Sequence, residues 1–448
     1  MTLSIKYLNR ILRLACVVFL ISSSVVQSAS IQKLHTDNPD AKYIGSATCS
    51  SSNCHGAGTV QNQTNVRQNE FNTWFNHDPH ANAYTALESK QGRQIANNLG
   101  LGDATKAQIC LNCHTTNVRD GRQTGRFRAS EGISCEGCHG PGSLWLSSHS
   151  NPNTARSELM AQGLYDTWNS TSKAELCLSC HLGDQNQRIT HKIMAAGHPR
   201  LVFELVTFTD AQPRHYDVDE DYMHRKKPYR QIKEWAIGQA QYGYQFLDLL
   251  IDTDKSENTL FPELSMYECH TCHHNPKKIR WNRLDGEKEE PGRIKINGSS
   301  LLVTQIIANV IAPEYGERIG QLRAAIRQKT ISNEGNISEI ASQGKELFKT
   351  VKNTFQSRTI TSEDGIAILE QIVTIGRKGT LRELSSAEQS VMAIALITKD
   401  LSSNSNYFHS SKEISNVLEG LYKVLSDENA FSPQRLKNNL TKLKVLEN

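Results

Sequence analysis

The sequence predicts a mainly α-helical fold with much irregular structure, followed by a C-terminal region made of helices. Three observations support this prediction. The chain has 448 residues, which is enough for two or three domains. All five tryptophans, and every cysteine beyond position 30, lie between residues 49 and 285. From Asn297 onward the chain has neither, and its apolar residues recur at helical spacing.

The N-terminal segment 1–30 has the pattern of a secretory signal peptide. Lys6, Arg10 and Arg13 precede an apolar run over residues 14–26, and small residues follow at 28–30. The run is shorter than the roughly 20 apolar residues that span a bilayer. An uncleaved anchor is the alternative. We expect a periplasmic or secreted protein with no membrane span after cleavage.

Ten cysteines remain after the signal segment, and they form five close pairs. In each pair, the residue directly after the second cysteine is a histidine. The pairs are Cys49/Cys54, Cys110/Cys113, Cys135/Cys138, Cys177/Cys180 and Cys269/Cys272, and the histidines are His55, His114, His139, His181 and His273.

This spacing is typical of covalent haem attachment. The two thiols of such a motif bond to the haem vinyl groups, and the adjacent imidazole binds the iron. Structural zinc also uses closely spaced cysteines, but zinc does not require a histidine at the same offset every time. The sequence therefore predicts five covalent haem c groups, and their proximal iron ligands are the five motif histidines.

The first motif is longer than the others. Four residues separate Cys49 from Cys54, whereas two residues separate the cysteines of the other pairs. The extra residues could bulge outward while both sulfurs still reach one haem. A disulfide between the two cysteines is the alternative.

Other histidines are candidates for the sixth iron position. Two histidine ligands make a low-spin electron carrier, whereas an open sixth position makes a site that binds small molecules. The candidates are His35, His77, His80, His149, His191, His198, His215, His224, His270, His274 and His409.

Two helices are predicted in the part of the chain that holds the motifs. One covers about Ala83–Leu99 and ends at Gly100. The other covers about Arg230–Ile251 and carries an apolar stripe at helical spacing. Charged residues with Gly and Pro at 286–295 read as a linker, so the predicted divisions are 1–30, 31–290 and 291–448.

Helix-capping patterns mark the C-terminal region. Ser385-x-x-Glu388 and Ser410-x-x-Glu413 resemble capping boxes, and Ser432 precedes a proline at the first helical position. An apolar stripe runs along a further helix through Ile414, Val417, Leu418, Leu421, Val424 and Leu425. These helices could pack on the motif-bearing part or mediate homo-oligomer formation.

The charge of the chain excludes one class of partner. The net charge of +4 falls to about +1 when the three signal-segment charges are removed, and each haem would add two propionates. A nucleic-acid partner is therefore not indicated.

Several segments resemble the cytochrome c-554 family, which are tetrahaem electron-transfer proteins related to hydroxylamine oxidoreductase. The likeness covers about Tyr43–His181. It includes residues 43–45, Trp74 leading to His80, the stretch 132–142 around the third motif, and His149. Residues 191–201 and 264–269 resemble longer multihaem proteins of the same broad group. The resemblance implies a multihaem cytochrome c fold, here extended by a C-terminal helical region.

The resemblance also implies iron ligands. His80 would serve the third haem, His149 the first, and the fourth would take a ligand from the chain after it. The second haem, on His114, would lack a distal histidine. The fifth motif departs from the family pattern. The open position on the second haem could therefore be filled by His191, His198, His215 or His224.

Three functions follow from these observations. The first is a periplasmic multihaem cytochrome that transfers electrons to and from redox partner proteins. The alternative is a redox enzyme that acts on nitric oxide or hydroxylamine at an open haem. A haem polymer or surface conduit is the third.

Overall fold

The computed structural model describes residues 34–35, 38–61, 66–118, 121–184, 187–252, 263–273, 294–332, 337–404 and 411–443. Several sequence predictions lie outside the described residues. These are the signal segment, the linker up to residue 293, the capping serine at 410, His274 and His409.

The described residues are mainly α-helical, as the sequence predicts, and their only β-structure is two isolated bridges. The motif-bearing part has ten short helices: α1 Glu70–His77, α2 Ala83–Glu88, α3 Lys90–Leu99, α4 Gln108–His114, α5 Cys135–His139, α6 Arg156–Ala161, α7 Ser170–His181, α8 His191–Ala195, α9 Leu205–Ala211 and α10 Glu220–Arg225. The helices after these are α11 Gln231–Asp252, α12 Ser299–Ile311, α13 Pro313–Ser332, α14 Ile337–Ser357, α15 Ser362–Arg377, α16 Leu384–Asn404, α17 Ser411–Leu425 and α18 Pro433–Leu440.

The helix predicted over 83–99 is divided in two at Ser89. The Ser89 hydroxyl oxygen accepts a hydrogen bond from the N–H of Gly92 at 2.9 Å and so caps α3. Gly100 ends α3 in the left-handed conformation, with φ of 72°, as the sequence predicts.

Helix α11 confirms the predicted long helix and occupies the centre of the largest apolar core. Trp235 and Leu247 of α11 are fully buried, and α11 packs mainly against α14. At Gly243 the two helices meet so closely that an added Cβ would lie 2.2 Å from the Phe348 ring. Only a glycine allows this approach.

Helices α12–α18 contribute buried side chains to the same apolar core as α11. This core therefore crosses the boundary predicted near residue 290, and the cysteine-free part shares its core with a helix that precedes the fifth motif. The predicted apolar stripe of α17 faces this core, where Leu421 and Val424 are buried.

The predicted helix caps had mixed outcomes. Ser432 accepts from the N–H of Arg435, and Pro433 is the first residue of α18, so that prediction is confirmed. The capping box at Ser385 is wrong, because Ser385 lies within α16 and its hydroxyl donates to the Glu268 carboxylate. Glu388 instead pairs with Arg200. Tertiary contacts, a hydrogen bond at Ser385 and an ion pair at Glu388, take the side chains that local spacing assigned to a cap.

Within the described ranges, no helix has the length and apolar character needed to cross a membrane.

Candidate functional site

Three of the four short motifs form the C-terminal ends of helices. The histidine that closes the motif is the last residue of α4, α5 and α7. Residues i, i+3 and i+4 share one face of a helix, so both cysteines and the histidine of each motif project to the same side. A short helical turn is therefore enough to present all three groups to one haem edge.

The first and fifth motifs are less regular, yet they close in the same way. The N–H of His55 donates to the Cys49 carbonyl at 3.2 Å, and the N–H of His273 donates to the Cys269 carbonyl at 2.8 Å. In the first motif, the extra residues form an exposed loop over 51–53. The ten motif cysteines all lie within the described residues, and none of them forms a disulfide.

Cys272 sets the fifth motif apart, although the sequence gives all four short motifs the same spacing. A short 3-10 helix covers Cys269–Thr271 and ends before Cys272, whereas the second cysteine of the other three short motifs lies inside an α-helix. Cys269 and Cys272 are both exposed, but the cysteines of those three motifs are partly buried. The regular helical geometry therefore holds for three of the four short motifs, and haem attachment at Cys272 stays a prediction.

Each motif histidine faces one histidine from outside the motifs. The ring centres are 6.1 Å apart for His55 and His149, 6.4 Å for His114 and His198, 6.3 Å for His139 and His215, 6.2 Å for His181 and His80, and 5.9 Å for His273 and His191. The ring planes are within 30° of parallel at the first and fifth sites and nearly perpendicular at the other three.

These separations fit an iron held between two imidazoles. A metal bonded at about 2 Å to one nitrogen of each ring places the ring centres about 6 Å apart. A bare structural metal needs about four protein ligands. No group of three or more His, Cys, Asp or Glu side chains suited to a metal occurs in the part of the chain that the structure describes. Pairs of histidines suit haem iron, because the porphyrin supplies the other four nitrogens.

The pairing corrects three expectations drawn from the family resemblance. His80 faces His181 of the fourth motif, not His139 of the third, so the fourth site's second histidine comes from the preceding chain. The third site has His215 instead. His114 faces His198, although the resemblance implies no histidine opposite it. His149 lies beside His55 of the first motif, and its role as a ligand of the first haem stays a prediction.

Hydrogen bonds fix the orientation of five of these imidazoles through Nδ1. Three of them contact backbone carbonyls: His114 Nδ1 lies 2.7 Å from the Ala83 oxygen, His149 Nδ1 2.6 Å from that of Leu146, and His198 Nδ1 2.7 Å from that of Pro199. A carbonyl can only accept, so Nδ1 carries the proton and Nε2 keeps a free lone pair. This is the tautomer that binds a metal through Nε2.

The other two of these imidazoles contact carboxylates. Glu70 Oε2 lies 3.0 Å from His55 Nδ1, and Asp78 Oδ1 lies 2.9 Å from His80 Nδ1. Burial by itself would raise the pKa of both carboxyls, but hydrogen bonds outweigh it, and the pKa values of Glu70 and Asp78 lie below their ordinary range. Both groups are therefore ionised at neutral pH.

The attachment sites lie next to one another in pairs. The thiols of Cys49 and Cys135 are close enough to interact electrostatically, and so are those of Cys113 and Cys180. The first site therefore adjoins the third, and the second adjoins the fourth. Cys138 of the third motif is close enough to Cys177 of the fourth for their charges to interact.

A cleft lies between the fourth and fifth sites. Its lining includes His181, Cys269, Arg188 and Arg200. Arg188 Nη1 is buried there without a hydrogen-bond partner. A buried cation without an acceptor is costly, and haem propionates are the acceptors that a haem in this cleft would provide.

Two further buried nitrogens have no hydrogen-bond partner. Both lie near a motif histidine or near a histidine that faces one. Trp145, whose ring centre is 5.3 Å from that of His149, has an unpaired Nε1. His35, which is close enough to His139 for their charges to interact, has an unpaired Nε2. Its Nδ1 lies 2.7 Å from the Tyr43 hydroxyl. Because native structures rarely leave such groups unsatisfied, these nitrogens also fit a bound acceptor.

Glu136 of the third motif links the segments that carry the family resemblance. Its buried carboxylate accepts hydrogen bonds from the N–H groups of Ile44, Gly45 and Gly142, at 2.7–3.0 Å. Burial raises the pKa of Glu136, although these hydrogen bonds oppose the shift. The stretch at 43–45 and the stretch at 132–142 therefore form one unit.

Sequence reasoning named most of these residues but missed three roles. The sequence offers His215 as one of four candidates for the open position on the second haem, not for the third site, and it does not single out Glu70 or Asp78. Asp78 lies two residues before His80 in the sequence, which was the available signal. Nothing local connects Glu70 with His55, since fifteen residues separate them.

The set of paired cysteines and histidines is that of the c-type cytochromes, in which haem c is bound covalently. Comparison with known families agrees: residues 48–140 match the family described as cytochrome c554 and c-prime. The predicted resemblance to this family is confirmed over that segment, which supports a role in electron transfer or another redox process. Searches of curated proteins and of solved structures found no match.

Proposed function

We propose that the protein is an exported cytochrome with five covalent haems, and that it transfers electrons without binding a substrate at iron. The observation that supports this most strongly is the partner histidine at every motif, within 5.9–6.4 Å. A haem iron held by two imidazoles changes oxidation state with little change in its surroundings.

In this proposal each cysteine pair holds one haem, and two histidines close the iron from opposite sides. The proximal ligands are the five motif histidines. The distal ligands, from the first site to the fifth, are His149, His198, His215, His80 and His191.

The same pairing weighs against an enzyme of nitrogen-oxide or hydroxylamine chemistry. Such an enzyme needs an iron with an open sixth position. Each of the five motif histidines has a second histidine whose ring centre lies 5.9–6.4 Å away, a separation that fits a shared metal. No observation favours an open site.

The contacts between attachment sites suggest the order of electron transfer. The adjoining sites run second, fourth, third and first, and the fifth lies across the cleft from the fourth. The fourth site is the branch point in this order, because it adjoins the second, third and fifth sites.

Redox proteins are the partners that this function requires. The apolar face of α17, which the sequence offered for self-association, packs against the chain's own core. A homo-oligomer would therefore need another surface. The N-terminal segment supports export to the periplasm or beyond, where haem c is attached.

The number of haems can be counted by intact mass after acid denaturation, because covalent haem c stays with the chain. The mature protein should carry five haems, and Cys49→Ala/Cys54→Ala should carry four. Four haems in the unaltered protein, with no change in the variant, would show that the long first motif is empty and would refute the proposed number.

A further inference from the structure

We propose that Glu70 and Asp78 are positioning residues that lower the reduction potentials of the first and fourth haems by acting through the ligand imidazoles. This inference rests on the proposed function, because it assigns different roles to haems that share the same pair of ligand types. The first and fourth sites are then those at which the chain favours oxidised iron.

Glu70 is held so that one carboxylate oxygen points at His55. Its Oε1 accepts from the N–H of Gln68 at 3.1 Å, which leaves Oε2 for His55 Nδ1 at 3.0 Å. The Glu70 side chain is only 15% exposed. Each oxygen has its own donor, so the carboxylate cannot turn away without losing a hydrogen bond.

Asp78 is held more tightly and is 3% exposed. Its Oδ1 accepts from both the N–H and the Nδ1 of His80, at 2.9 Å, and its Oδ2 accepts from Gln212 Nε2 at 2.6 Å. It also begins the short helix Pro79–Asn82 that carries His80. The carboxylate therefore fixes both the position and the tautomer of this imidazole.

The second site provides an internal contrast. Both of its histidines, His114 and His198, direct Nδ1 at neutral backbone carbonyls, 2.7 Å away in each case. The hydrogen-bond geometry resembles that at Glu70 and Asp78, but the acceptor has no net charge. The three sites thus differ in the charge of the acceptor behind the ligand.

A charged acceptor changes the ligand more than a neutral one. Hydrogen bonds to ionised groups are roughly twice as strong as neutral ones, and a carboxylate behind a metal-bound imidazole raises its basicity. A more basic imidazole stabilises ferric iron, which carries one more positive charge than ferrous iron. Burial strengthens the effect, because little solvent screens the carboxylate.

The test is a potentiometric titration of the full-length haem protein, followed by electron paramagnetic resonance, on Glu70→Gln and Asp78→Asn. Each substitution keeps the shape of the side chain and removes the charge. In each variant, one of the five midpoints should rise, and the reduction equilibrium constant of that haem should increase about tenfold, or about 59 mV for one electron. Glu88→Gln is the matched control, since Glu88 is exposed and no hydrogen bond joins it to a histidine.

Three outcomes would overturn the inference. In the first, all midpoints stay at wild-type values. In the second, every midpoint shifts by the amount seen in Glu88→Gln, which would indicate a general charge effect. In the third, one haem becomes high-spin, which would show that the carboxylate holds the ligand in place and does not tune it.

Failure of the proposed function would look different. Fewer than five low-spin haems in the unaltered protein would contradict the pairing of histidines, whatever the variants do.

Discussion

In residues 38–225, which we call the motif region, the described residues form two small apolar clusters, and Val206 is the one buried side chain of this range that joins the large core. One contains Leu87, Ala96 and Ala104, and another is centred on Leu178 and Phe203. Helices α11–α18, the helical region, share one continuous apolar core instead. The motif region brings together cysteines, paired histidines and unpartnered buried polar groups, and in the proposed function haem takes the place of an apolar core. The helical region folds around its own side chains.

The largest difference between the two regions is expected when haem attachment is prevented. Chain produced in cells without the cytochrome c maturation machinery should lose protease protection throughout the motif region, because its small clusters bury too little apolar area to offset chain entropy. The helical region should remain protected. Limited proteolysis with mass mapping measures both regions in one experiment, and equal protection of both would show that the motif region does not depend on haem.

A substitution in the apolar core should destabilise the helical region and leave the motif region intact. Phe348 is fully buried against Gly243, so Phe348→Ala should lower the free energy of unfolding of the helical region by about 3–5 kcal/mol. The haem absorbance spectrum should be unchanged. Urea unfolding followed by far-ultraviolet circular dichroism gives the free energy. Phe75→Ala is the control, since Phe75 is 60% exposed and should cost little. A change of haem spectrum in Phe348→Ala would show that the regions are coupled.

The smallest structural effect should come from replacing a single proposed iron ligand in the motif region. His215→Ala should convert one low-spin haem to high-spin and leave the number of bound haems unchanged, because the cysteines are untouched. His224→Ala should have no effect, since His224 is exposed and faces no motif histidine. Electron paramagnetic resonance of the oxidised variants makes the comparison. An unchanged spectrum in His215→Ala would show that another residue is the sixth iron ligand at the third site.

The two regions also differ in how far the sequence predicts them. In the helical region, period and capping locate α11 and α18, and the error at Ser385 arises because Glu268 takes its hydroxyl. In the motif region, the cysteine spacing predicts four attachment sites, and the fifth predicted site lies between α11 and α12. The spacing does not predict which histidine lies opposite which, because that depends on contacts between distant segments.

His80 and His215 illustrate this limit. His80 precedes both His139 and the more distant His181 in the chain, and nothing in either interval favours the more distant partner. His215 follows its partner His139 only after several other histidines. The pairing at the fourth site depends on how tertiary packing brings His80 beside His181 at the end of α7, which local patterns do not encode.

The central claim is that all five irons have two histidine ligands, and quantitative electron paramagnetic resonance of the fully oxidised protein tests it most directly. We predict five low-spin haems and no high-spin signal. Two should have near-parallel imidazole planes, at the first and fifth sites, and three should have near-perpendicular planes. A high-spin signal integrating to one haem per chain would contradict the account, since it would reveal an iron with an open position.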